Sequence, residues 1–350
     1  MVDICYYSSD FYAPYTGISM YSLLKNNIGL DFRLNCIDSG ISPENKRKMH
    51  ELAARFGKEL IFHDYTLLES YIRDELKLPI CNGSYATYIK VFPNKIFKDS
   101  EKVLFIDGDT IVNGPLDELF ELDMTDRVFA AAKVPLINES WVYDEDREDN
   151  LRLQYQKCFK DFGYFNIGIF LVNIKKWAEV DFGAQIMDAS DEHLHIISRV
   201  NDIPIDEMLI NLAALKKSEE RYVAPLPPRF NSTVHNLPYR RGSKAALRCG
   251  YIDREEYKDA YFNPVIIHFC IFKPWYTDAY TPYRGLMKKY RAESPWPDAF
   301  TEKMQKTLPK KIFMKFFYPM QSEKLMLLSM KCWRAVSGLF KGRHEGASAG

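Results

Sequence analysis

A chain of 350 residues, 47% apolar and 14% aromatic, can bury a large core, which suits one sizeable α/β domain with a subsidiary segment. Its formal net charge of zero argues against a general nucleic-acid binder, which would carry a basic excess. Seven scattered cysteines without a CxxC pair point to free thiols in a reducing compartment, not to a disulfide framework or a zinc site.

Met1-Val2-Asp3 runs straight into Ile4-Cys5-Tyr6-Tyr7 with no basic n-region, so no signal peptide is expected and the expected location is cytoplasmic. Residues 4–7 read as a short strand, 15–26 as a helix and 32–37 as a second strand. Ser42-Pro43-Glu44 starts a helix: Ser as cap, Pro in the first turn, and an acid at the positive end of the dipole. Met49, Leu52, Ala53 and Phe56 follow at i, i+3, i+4 and i+7, one buried face. Gly57 closes that helix, and residues 60–62 make a third strand. Such β-α-β-α-β alternation implies a doubly wound, mostly parallel sheet flanked by helices.

Residues 85–96 read as one or two short helices broken near Pro93. Val103-Leu104-Phe105-Ile106 is then a buried strand that stops at Asp107-Gly108-Asp109, and Asn113-Gly114-Pro115 turns into another helix. Residues 128–134 and 167–172 are further strands; the acid-rich stretch 138–160, with Trp141, is expected to be a surface excursion. Toward the end, Leu325, Leu328, Cys332, Val336 and Leu339 form a helical stripe, with Lys324, Lys331, Arg334 and Lys341 elsewhere on the wheel. Residues 310–343 thus read as a basic amphipathic segment, suited to an anionic membrane surface or to packing on the body. No uncharged run approaches the roughly 20 residues of a membrane span. The expected division is a domain of residues 1–290 and a tail of 291–350.

Two carboxylates around one small residue at a strand end can grip a single divalent cation, and their hard oxygens suit Mn²⁺ or Mg²⁺. The ligand crevice of an open α/β sheet lies at that end of the strands. Asp144-Glu145-Asp146 has the same spacing but no strand before it, and reads as solvated loop.

The segment from Lys102 through Asp107-Gly108-Asp109-Thr110, with Gly114-Pro115-Leu116 after it, resembles the metal-binding strand of family 8 glycosyltransferases. Four further segments resemble that family's motifs in the same order. They are residues 6–24, Tyr164-Phe165-Asn166-Ile167-Gly168 with Asn173-Ile174-Lys175-Lys176-Trp177, Asp206-Glu207-Met208-Leu209-Ile210-Asn211, and His268-Phe269 with Lys273-Pro274-Trp275. The resemblance spans residues 3–290 and implies a retaining enzyme of GT-A fold. Its donor would be UDP-glucose or UDP-galactose, its acceptor a glycan or lipid-linked glycan, and its product a lipopolysaccharide or other surface polysaccharide. It implies Mn²⁺, with Mg²⁺ as alternative, held by Asp107, Asp109 and His268. Donor contacts would come from Tyr7, Ser9, Asp10, Tyr12, Lys90, Asp107, Gly108, Asp109 and Lys273, and catalysis from Glu207, Asp206 and Asn166. Lys273 would reach the diphosphate, Asn166 the donor sugar and Asp206 its hydroxyls, while Glu207 would stabilise or attack the anomeric carbon.

This chain departs from the family pattern at several of these positions. Glu207 stands for a Gln, Lys90 for an Arg, Ser9 for an acid, Phe11 for an Asn and Met208 for an acid, and the loop after His268 is one residue short and lacks its Gly. Two other readings are a catalytically silent nucleotide- or glycan-binding protein and a haloacid-dehalogenase-type phosphohydrolase, whose strand also ends in D-x-D.

Overall fold

In the computed structural model the described residues are 2–78, 80, 85–133, 162–197, 205–218, 220–233, 254–270, 273–275 and 283–299, with backbone alone at 87, 191–197, 254 and 257. The chain opens with β1 (Val2–Ser9), α1 (Ala13–Asn26), β2 (Phe32–Ser39), α2 (Pro43–Arg55) and β3 (Leu60–Asp64). Strands β1, β2 and β3 pair in parallel, as the alternation implies. Helix α2 begins where its residues dictate, with Ser42 Oγ accepting from Asn45 N and Met49, Leu52 and Ala53 buried. Helix α1 starts two residues before the apolar pattern does, because Pro14 is pre-set for a first turn.

A short helix α3 (Thr66–Ser70) runs on through a wider turn at Tyr71–Glu75, and a 3₁₀ turn at Ala86–Lys90 precedes α4 (Pro93–Ile96). Then come β4 (Lys102–Ile106), β5 (Thr110–Val112), α5 (Asp117–Glu121), β6 (Phe129–Lys133) and β7 (Phe165–Asn173). They are followed by α6 (Ile174–Glu179), α7 (Phe182–Ile197), α8 (Ile205–Lys216), β8 (Val223–Leu226) and β9 (Ser232–Thr233). The described chain ends with α9 (Arg254–Phe262), β10 (Ile266–His268) and α10 (Arg284–Glu293).

Seven strands form the main sheet in the order β3-β2-β1-β4-β7-β6-β8, and β5-β10-β9 form a small second sheet. Among the described residues only β7 runs against its neighbours in the main sheet. Both faces of that sheet are covered, which is why β4 is apolar from Val103 to Ile106. Val103 and Phe105 join the layer that holds Phe170 and Trp177, while Leu104 and Ile106 join the layer that holds Met20 and Leu23. Each such side chain contributes about 1.5–3 kcal/mol on burial, so the strand is firmly anchored and its two acids are held at a fixed edge.

Pairing of β7 with β6 slips between Ala131 and Ala132, where Phe170 and then Asn166 are the partners. The irregularity re-aims the stretch 166–169 beside the end of β4. A third apolar cluster under the small sheet includes Tyr15, Ile111, Ile267, Phe269 and Trp275, with Tyr15 and Trp275 stacked at 3.9 Å. The acid-rich stretch 138–160 and the basic segment 310–343 lie outside the described residues.

Candidate metal and diphosphate site

Strand β4 hands the chain to the site through one more sheet hydrogen bond, Asp107 N donating to Gly168 O at 2.9 Å. Thr110 Oγ1 then donates to Asp107 O at 2.8 Å and closes the turn. Beyond it β5 leaves the main sheet and pairs antiparallel with β10, Thr110 opposite His268, and Phe269 N donates to Asp109 O at 3.0 Å. This pairing carries His268 from far along the chain to the acid pair. Its Nε2 lies 3.6 Å from Asp107 Oδ2 and 3.4 Å from Asp109 Oδ1. One ligand atom from each of the three residues lies within 4.8 Å of the other two.

Two glycines make the approach possible. A Cβ on Gly108 would sit 2.3 Å from Thr16 Oγ1, and one on Gly168 would sit 2.1 Å from His268 Cε1. Any larger residue at 168 displaces the imidazole. Cys270 takes the left-handed backbone conformation (φ 39°), a cost of about 1–2 kcal/mol.

Asp109 is 6% exposed and His268 3%. Burial alone would raise the Asp109 carboxyl, but the Lys273 ammonium and the His268 ring outweigh it and hold the group well below the usual carboxylate range. Lys273 forms an ion pair with Asp109 Oδ2. Lys90 Nζ lies 2.6 Å from Asp107 Oδ1 and donates to Ile167 O at 2.9 Å. Burial works against the Lys90 charge, yet Asp107 and Asp206 more than offset it and raise its pKa. His268 Nδ1 and Asn231 Oδ1 are 3.0 Å apart; since the amide oxygen only accepts, Nδ1 donates to it, and Nε2 is the ring atom turned toward the acids, the one a cation would take in place of a proton. Two hard carboxylates and an imidazole nitrogen presented this way fit a divalent cation such as Mn²⁺ or Mg²⁺.

Beside this cluster lies a second pair of acids, in the first turn of α8. Glu207, 3% exposed, accepts on Oε2 from Asn166 Nδ2 (2.9 Å) and Ile167 N (3.1 Å), so its carboxylate bonds β7 instead of capping its own helix. Burial pushes Glu207 up to about 7 and Asp206 up to about 6. Asp206 Oδ1 is buried and has no hydrogen-bond partner, an open acceptor of the kind a polar ligand satisfies.

Tyr7, Ser9, Asp10 and Tyr12 lie at and just after the carboxyl end of β1, next to β4. The Tyr7 ring meets Tyr65 edge-on at 6.4 Å, and Tyr12 meets Trp275 edge-on at 5.9 Å. Asp10 Oδ1 accepts from Ser42 N and Asn45 Nδ2, both at 2.8 Å, and so braces the start of α2. A cleft of 410 Å³ opens at this edge, lined by Asp38, Ser39, Gly40, Tyr65, Thr66 and Tyr85 among others. Of the residues expected from sequence, Lys90, Asp107, Gly108, Asp109, His268 and Lys273 come together around one point. Asn166, Asp206 and Glu207 flank it, linked through Lys90 and β7. Sequence reasoning missed Asn231, an unremarkable loop residue after Phe230, and assigned no task to Gly168 although it lies within a quoted motif.

A family model described as glycosyl transferase family 8 matches residues 3–279. Over 302 residues the chain is 24% identical to general stress protein A of Bacillus subtilis (strain 168), covering 83% of this chain and 92% of that one. It is 22% identical over 289 residues to the lipopolysaccharide 1,3-galactosyltransferase of Salmonella typhimurium (strain LT2), covering 80% and 74%. Among solved structures, the galactosyltransferase LgtC in complex with donor and acceptor sugar analogues aligns with a TM-score of 0.62 at 19% identity, covering 84% of this chain and 96% of that one. The bifunctional glycosyltransferase WbbM aligns with a TM-score of 0.64 at 19% identity; 85% of this chain is covered, and half of that one. The shared architecture is the GT-A fold. A phosphohydrolase of the haloacid-dehalogenase type, the rival that the acid pair alone left open, is thereby set aside. With the match running through every strand of both sheets, the chain belongs to glycosyl transferase family 8.

Proposed function

We propose that the protein transfers a hexosyl group, with retention, from UDP-glucose or UDP-galactose to a glycan or lipid-linked glycan acceptor of a surface polysaccharide, in an Mn²⁺-dependent reaction. The observation that carries this reading is the convergence of Asp107, Asp109 and His268 with two lysines on their rim. Three such ligands suit one divalent cation, and two ammonium groups suit a diphosphate. The bound ion would stabilise negative charge on the departing diphosphate.

The chain's own residues divide the remaining work. Lys273 and Lys90 reach the phosphates, and Asp206 offers its open oxygen to a sugar hydroxyl. Glu207 faces the reacting carbon with a carboxylate clamped by two N–H donors. A group so held suits electrostatic stabilisation of an oxocarbenium-like state better than attack upon it. Tyr7, Ser9 and Tyr12 flank the nucleoside half, beside the cleft at Tyr65. In this reading residues 1–290 carry the transfer chemistry, and the chain through Trp296 packs on them.

The test is UDP release from each donor in water, which needs no acceptor. The intact protein should release UDP only with Mn²⁺ or Mg²⁺ present, and Asp109→Asn should lower that rate by about 10³-fold, the equivalent of several kcal/mol of lost charge stabilisation. Near-normal release by the variant refutes the metal role; a protein that binds UDP but never releases it from a donor is the silent binder. In the same reading, the basic segment 310–343 holds a cytoplasmic enzyme at an anionic inner-membrane surface. No helix among the described residues is long and apolar enough to cross a membrane. A chain ending at residue 299 should no longer sediment with anionic vesicles; if it still does, the tail is not the anchor.

A further inference from the structure

We propose that Asn231 is a positioning residue that sets the metal-facing state of His268 and ties it to the carboxylate at the sugar end of the site. The proposal rests on the functional reading above only for the roles of the two ends it joins. Asn231 is 2% exposed and closes the 3₁₀ turn Pro228–Asn231, immediately before β9, which pairs in parallel with β10. Its amide meets His268 Nδ1 on one side (3.0 Å) and Asn166 Oδ1 on the other (2.7 Å).

The direction of every hydrogen bond in this chain of groups is fixed from its ends. Gly168 N, a backbone donor, gives its proton to Asn166 Oδ1 at 3.1 Å, so that atom is the oxygen of its amide. Asn166 Nδ2 therefore faces Glu207 Oε2, an acceptor already engaged by Ile167 N. The Asn231 group that meets Asn166 Oδ1 must then be its NH₂, which also reaches Asn166 O at 3.2 Å. Its oxygen is left for His268, and only a protonated Nδ1 can bond it, which aims Nε2 at Asp107 and Asp109 as the nitrogen a cation would take in place of a proton. One amide thus orients a metal ligand with its oxygen and a catalytic amide with its nitrogen. Outer partners of metal-ligating histidines act in this way.

The two arms separate experimentally. Asn231→Ala removes both, whereas Asn231→Asp keeps an acceptor for Nδ1 and loses only the donor to Asn166. Mn²⁺ affinity of the full chain, read by electron paramagnetic resonance without nucleotide, should fall about 10- to 100-fold in Asn231→Ala and stay within about threefold of the parent, or tighten, in Asn231→Asp. At saturating Mn²⁺, kcat for UDP release should fall at least about tenfold in both variants, by the same outer-partner argument. Unchanged Mn²⁺ affinity in a folded Asn231→Ala protein overturns the proposal, as does an equal loss of affinity in both variants, which marks a merely structural residue. A parent that binds Mn²⁺ but releases no UDP refutes the functional reading, while the two affinities still decide the role of Asn231. A parent that binds no Mn²⁺ overturns both.

Discussion

Glu207 shows how a single side chain carries a cost that function explains. Its carboxyl, ordinarily near 4.5, is raised by burial to about 7. Between those values the folded protein holds a proton that the unfolded chain has released, so this group's contribution to stability declines as pH rises through the window. Above it the ionised carboxylate costs about 3 kcal/mol. Glu207→Gln can still accept from Ile167 N and Asn166 Nδ2, so it should raise the urea midpoint at pH 8 and leave it nearly unchanged near pH 4. A difference that does not widen with pH would show that the carboxyl is not desolvated. The same variant should lower UDP release, the expected trade of stability for activity. At this scale the sequence exposed the chemistry-bearing residues, because two acids at the end of an apolar strand have few structural uses. It concealed Asn231 and Gly168, whose tasks exist only at the distance between an amide or a missing Cβ and one imidazole.

Helix α1 shows the same at the level of an element. Its polar side chains bind the free edge of β5. Ser22 Oγ accepts from Val112 N at 2.9 Å, Asn26 Nδ2 donates to Val112 O at 2.9 Å, and Ser19 Oγ and Thr110 Oγ1 share a 2.7 Å hydrogen bond. The strand that follows the acid pair is therefore held on one edge by β10 and on the other by serines and an asparagine. Ser22→Ala would leave the buried Val112 N without an acceptor and should cost about 1–3 kcal/mol, read as a lowered urea midpoint, with weaker Mn²⁺ binding as the turn at Asp109 loosens. An unchanged midpoint would mean that water replaces the hydroxyl. The parallel half of the sheet and α2 were legible because period and cap are local signals. Strands β5 and β9 were not, since two or three residues carry no period, and the reversed direction of β7 leaves no mark in an apolar run.

Across the whole molecule, the described chain is fastened past the end of the transferase domain expected at residue 290. Trp296 packs on α1, where a Cβ on Gly17 would lie 2.1 Å from its ring, and its Nε1 donates to Asn45 Oδ1 at 2.9 Å. A chain ending at 299 keeps this contact. One ending at 290 loses it and should be less stable by about 3–5 kcal/mol, as for removal of a buried Trp. Equal stability of the two would show that the contact contributes nothing. The motif order made the extent of the fold readable, whereas a lone Trp meeting a lone Gly far away in sequence has no pattern to read.

On the proposed reading, the pairing of Lys90 with Asp107 and of Lys273 with Asp109 governs how the site loads. A free cation arriving by itself must evict two resident ammonium groups and leaves them without counter-charge. Arriving together with a nucleotide, it frees them to grasp the pyrophosphate. Ion and nucleotide therefore enter as cargo that each makes room for the other, and by reciprocity each tightens its companion by one common factor. Mn²⁺ should bind at least about tenfold more tightly when UDP is present, about 1.4 kcal/mol of coupling, and Lys273→Ala should shrink that gap; identical affinities would mean that the lysines never let go.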